Sequence, residues 1–84
     1  MEEKEIGTIE HYFNKISVGI IKLSGALKVG DIVHIKGHTS DITQNVDSME
    51  VEHRSVEEAK AGDAVGIKVS DTVHEHDKVY KVIG

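Results

Sequence analysis

Lys28-Val29-Gly30-Asp31 opens onto Ile32-Val33-His34-Ile35-Lys36, and Lys60-Ala61-Gly62-Asp63 opens onto Ala64-Val65-Gly66-Ile67-Lys68-Val69. In each copy glycine offers the positive φ of a tight turn, and aspartate offers a carboxylate to the turn's N–H groups. The runs that follow alternate. Val33 and Ile35 share one face and His34 and Lys36 the other, and Val65, Ile67 and Val69 alternate with Gly66 and Lys68. A strand that begins immediately after a tight turn has its register fixed there. The repeat is a few residues long, so it is shared turn chemistry and not a duplicated domain.

Working outward, the composition extends the β reading to the whole chain. Isoleucine and valine together number 21 against two leucines in 84 residues. Such β-branched side chains suit a pleated sheet and lose rotamer freedom in a helix. The length is that of one domain. We expect residues 1–5 to be a short, frayed, charged lead-in and residues 6–84 to form a single barrel. Cysteine is absent, so no disulfide or thiolate site can form. With no membrane-length apolar run and no signal-peptide pattern, a reducing, cytoplasmic setting is the expectation.

The strands are predicted over residues 6–12, 17–23, 32–36 and 65–69 and around 78–82. Residues 39–52 are read as one bent strand or two. Six or seven short strands with turn signals between them predict an all-β fold, a small closed Greek-key barrel without exposed edges. Ser55-Val56-Glu57-Glu58 has the form of a capping box and predicts at most one helical turn.

The motifs carry little chemistry. Gly25 and Gly30 have the spacing of a phosphate loop, but Asp31-Ile32 stands where lysine and a hydroxyl residue are required. The expectation is therefore no nucleotide and no cofactor. His74-Glu75-His76 would place two imidazoles on one face of a strand, yet zinc needs further ligands, so surface histidines and no metal are expected. No serine or threonine stands in a nucleophile motif. The net charge of −5 disfavours a general nucleic-acid binder, although a local basic patch remains compatible with it.

The run from Leu27 to Ile35, with its Lys-x-Gly-Asp turn, resembles the second-domain barrel of translational GTPases. Residues Val46 to His53 and Val56 to Ile67 are similar to that barrel in elongation factor Tu and, more closely, in the archaeal and eukaryotic factors that carry aminoacyl-tRNA. A related barrel ends the collagenase-like peptidases, some of which modify RNA. The resemblance spans about Ile6 to Val82 and implies the barrel, with Gly30, Asp31, Gly62, Asp63 and Asp77 as its turn residues. His76-Asp77 stands where the family often has a third Gly-Asp. The GTPase domain that precedes the barrel in the elongation factors has no counterpart here, and residues 16–23 lack their arginine-bearing, glycine-rich pattern. The resemblance thus carries over neither a catalytic residue nor a tRNA contact.

Two functions follow as expectations, both non-enzymatic. The first is a translation-factor-like module that binds RNA or a ribonucleoprotein through Lys22, His34, Lys36 and Lys68, all facing outward from strands. The second is a protein-interaction barrel serving a collagenase-like peptidase or RNA-modifying partner, with the acidic segment Glu50 to Glu58 as its surface. Neither involves a membrane.

Overall fold

The structure, a computed structural model, describes residues 2–83. It contains β1 (Glu2–Phe13), β2 (Val18–Leu23), β3 (Leu27–Lys28), β4 (Ile32–Lys36), β5 (Asp41–Asn45), β6 (Met49–Val51), β7 (Arg54–Val56), β8 (Glu58–Ala59), β9 (Ala64–Lys68) and β10 (Lys78–Ile83). Eight of them make one antiparallel sheet in the order β5-β4-β10-β1-β2-β9-β6-β7, and β3 and β8 make a separate ribbon. The fold is all-β, and no helix occurs among the described residues, hence none long and apolar enough to cross a membrane.

The alternation read from the sequence sets which face is inside. Val33, Ile35, Val65, Ile67 and Val69 are all buried, joined by Ile9, Ile21, Leu23, Met49 and Val79 from neighbouring strands. β1 bends the sheet around this core. Its register shifts between Glu5 and Gly7 and again between Ile9 and His11, and such bulges increase local bend and twist. At the first bulge Ile6 and Gly7 are both buried. A Cβ on Gly7 would fall 2.6 Å from the Lys22 carbonyl oxygen, so only glycine lets β1 and β2 approach this closely.

Three turns share one geometry. The Asp31 N–H donates to the Lys28 carbonyl, Asp63 to Lys60 and Asp77 to His74. In return each aspartate carboxylate accepts the N–H of the turn's first residue, at 2.9 Å from Lys28, 3.1 Å from Lys60 and 2.9 Å from His74. The third residue takes φ of 99° at Gly30, 98° at Gly62 and 76° at His76, the pattern of a type II turn. His74-Glu75-His76 is therefore a turn and not a strand, and its two imidazoles do not share a strand face.

Several expectations need correction. Among the described residues there are ten strands instead of six or seven. The ones outside every expected segment, β3, β7 and β8, are two or three residues long, too short for alternation to register. Residues 39–52 hold two strands, β5 and β6, the second of the two expected alternatives. Ser55 lies in β7 opposite Glu50, so the capping-box pattern starts no helix. Glu2 to Glu5 are not a frayed lead-in but the start of β1, paired with residues 80–83 of β10; Met1 lies outside the described residues. The large antiparallel sheet is consistent with a β-barrel-like fold, and among the described residues no backbone pairing joins its edge strands β5 and β7. Instead the Gln44 side chain on edge strand β5 reaches the β9 end, donating to the Lys68 carbonyl at 2.7 Å and accepting the Ser70 N–H at 2.8 Å. A side-chain amide thus ties edge strand β5 to the end of β9.

Candidate interaction surface

The four side chains expected to form a basic patch face outward but do not converge. Lys36 pairs with Lys78, Lys78 with Thr8, and Thr8 with Lys22, so Lys36 and Lys22 share one cross-sheet row. They stand three strand spacings apart, roughly 14 Å. Lys68 lies opposite Val18 at the far end of the β2–β9 pair, four residues from Ala64, the partner of Lys22. Lys22 Nζ donates to the Gly62 carbonyl, and Lys78, absent from the sequence-derived patch, lies 3.6 Å from Glu5.

His34 is not available as a surface cation. Its Nδ1 lies 2.9 Å from Glu3 Oε2, its Nε2 lies 2.5 Å from Asp41 Oδ1, and its side chain is only 16% exposed. Hydrogen bonds to Glu3 first and Asp41 second raise its pKa above the ordinary histidine value, against a smaller opposing effect of burial. Both ring nitrogens donate only in the imidazolium form, which suits two carboxylate partners. The pair of acids was not legible locally, because Glu3 is remote in sequence.

Ser40, His74 and Asp77 gather near the third turn, a grouping that no sequence motif announces. Ser40 Oγ lies 3.0 Å from His74 Nδ1, and Asp77 Oδ2 lies 3.8 Å from the same nitrogen. A catalytic triad needs the acid and the nucleophile on opposite ring nitrogens. Ser40 is also buried, at 4% exposure, and Asp77 already accepts the His74 N–H. The cluster therefore organises a turn. No group of three or more metal-ligating side chains fit for a metal ion occurs among the described residues.

The other half of the outer surface is different in character. Val18 and Ile20 on β2, with Ala64 and Gly66 on β9, floor a groove. Phe13 and Ile16, 45% and 57% exposed, wall one side from the β1–β2 turn. Ser48, Glu50, Glu52 and His53 wall the other from the β6–β7 hairpin, and Lys68 stands at one end. Of the carboxylates in the segment Glu50 to Glu58, Glu50 and Glu52 line this groove and Glu57 and Glu58 do not. Glu58 pairs with Lys28 in the separate ribbon, and the Glu57 carbonyl accepts the Val29 N–H.

No protein-family model matches the chain. The chain is 42% identical over 77 residues to an uncharacterized protease of Methanocaldococcus jannaschii, covering 90% of this chain and 19% of that protein. It is 35% identical over 72 residues to a collagenase of Porphyromonas gingivalis, covering 83% of this chain and 20% of that protein. The chain thus spans about one-fifth of the length of these curated relatives. Among solved structures, the C-terminal domain of a Geobacillus thermoleovorans protein assigned to the U32 peptidases superposes with a TM-score of 0.89 at 17% identity, covering 95% of this chain and 93% of that one. Its selenomethionine form gives 0.86 at 16% identity, with 90% and 96% covered. The fold is that of a U32 peptidase C-terminal domain. The related barrel of the collagenase-like peptidases is therefore the resemblance these relatives support, and they give no support to the elongation-factor assignment.

Proposed function

We propose that this chain is a non-catalytic accessory β domain of the collagenase-like peptidase type, acting through protein contacts. The observation that carries the reading is the coverage of its relatives. The similarity takes in 90% of this chain but 19% of the M. jannaschii protease, and 83% but 20% of the P. gingivalis collagenase. What the chain shares with these proteins is one module beside a much larger remainder. The surface supports the reading. Lys22, Lys36 and Lys68 are spread across the sheet, His34 is held by two carboxylates, and the exposed Phe13 and Ile16 stand together beside Val18 and Ile20, while Val29, Ile32 and Ile83 are exposed elsewhere. Nucleic-acid contact depends on several cations close enough to meet successive phosphates.

The test uses the P. gingivalis collagenase in three forms: complete, with its matching segment deleted, and with that segment replaced by this chain. Collagen cleavage should fall on deletion and return in the chimaera, while this chain alone should cleave nothing. A chimaera no better than the deletion would reject the accessory role, and cleavage by the isolated chain would reject its non-catalytic character.

A further inference from the structure

The groove over β2 and β9 is apolar on the side of the sheet that faces away from the core. Elsewhere that outer surface presents Lys36, Lys78, Glu5 and the Glu3–His34–Asp41 bridge, with Ile32 as an exposed apolar side chain among them. We propose that the groove is the seat of the peptidase body, meaning the portion of such a protein outside the segment this chain matches. The proposal rests on the accessory-domain reading above and deepens it by naming the surface.

Three observations meet in it. First, the groove is shaped by its own residues. Ile20 Cδ1 and Val18 Cγ1 lie 3.3 Å from where a Cβ on Gly66 would sit, so the bare glycine lets both side chains lie across β9 as a floor. Second, both walls hold backbone that ordinary residues avoid. Ser17 has φ of 55° beside Ile16, and Glu52 and His53 have φ of 51° and 65° in the opposite hairpin. These conformations belong to the β1–β2 turn and to the two-residue β6–β7 hairpin, so both walls are fixed by tight turns. Third, roughly four-fifths of each curated relative lies outside the matched segment, a body large enough to cover one face of a domain this small.

Charge narrows the description of the occupant. Glu50 and Glu52 line one wall, and Lys68 stands alone at the end of the floor. The complementary element is an apolar ridge with lysine or arginine on the side toward Glu50 and Glu52. Phe13, Ile16 and Ile20 would supply the anchoring contacts, as large apolar side chains at the centre of an interface usually do.

The probe is the M. jannaschii protease lacking its matching 77-residue segment, titrated with this chain in a calorimeter. Ile16→Asp and Ile20→Thr should each weaken binding at least tenfold. Glu50→Lys should weaken it more at low salt than at high salt. Lys78→Glu, on the other half of the outer surface, should leave affinity within twofold. Ile16 sits in an exposed turn, so its variant keeps the native melting curve. Native affinity in all three groove variants would overturn the groove while leaving the accessory role standing. No binding by the native chain would overturn the groove, with the collagenase chimaera deciding the accessory role separately. A concentration-dependent dimer lost in Ile16→Asp would give the groove to a second copy of this chain and overturn the proposed occupant.

Discussion

The carboxylate of Asp77 lies directly over the α-carbon of Gly37, so close that a Cβ on Gly37 would overlap it. Asp77 is 6% exposed and accepts the His74 N–H, while the Gly37 N–H donates to the Ser40 carbonyl. The third turn is thereby seated against the end of β4. Gly37→Ala must move the turn or the strand. We expect a loss of about 2 kcal/mol, in the range of core overpacking. Urea denaturation checks it, and an unchanged midpoint would show that the contact yields freely.

Glycine and histidine at equivalent turn positions make opposite predictions. Gly62 has φ of 98° and open space around its absent Cβ, so Gly62→Ala should lose about 1 kcal/mol through backbone strain alone. His76 has φ of 76°, and His76→Gly should gain about 0.5–1 kcal/mol by the same reasoning. Thermal melts of the two variants should shift in opposite directions. Equal shifts would mean that side-chain contacts, not φ, govern these turns.

Val33 and Lys36 test the two faces of β4. Val33 is fully buried and Lys36 exposed. An aspartate at Val33 would cost several kcal/mol, roughly the stability of a domain of this size, so Val33→Asp should be unfolded at room temperature. Lys36→Glu should keep a native circular dichroism spectrum. A folded Val33→Asp protein would require a different packing of the sheet.

His34 gives the domain a pH dependence of known sign. Its folded pKa is raised by Glu3 and Asp41. The protonated bridge therefore contributes its stability fully below the unfolded value of about 6.5, and that contribution is lost as pH rises through the elevated folded value. Stability attributable to this site should fall across that window. His34→Gln should flatten the fall in denaturation midpoints, and an equally steep profile in the variant would assign it to other groups.

Much of the fold was legible in the sequence because its signals are local. Lys28 to Asp31 and Lys60 to Asp63 state their turns in four residues, and the inward parity of Val33, Ile35, Val65 and Ile67 follows from alternation. The β6–β7 hairpin was hidden because Glu52 and His53 hold positive φ without the glycine or asparagine that usually marks such a turn. Val73 is buried in an irregular segment that no period describes. The candidate surface was harder still. Outward parity correctly turned Lys22, Lys36 and Lys68 to solvent but cannot reveal how strands pair. The groove exists because the β2–β9 register sets Ile20 beside Gly66, and His34 is held by Glu3 only because β10 brings β1 and β4 together.

The central claim, a protein-docking accessory domain in place of an RNA-binding module, is tested most directly by paired titrations of one preparation at low and physiological salt. In one cell is the M. jannaschii protease body lacking its matching segment, in the other a single-stranded RNA oligonucleotide. The account predicts saturable binding to the body at both salt concentrations and no saturable binding to the RNA. Saturable RNA binding that weakens steeply with salt, together with no binding to the body, would contradict it.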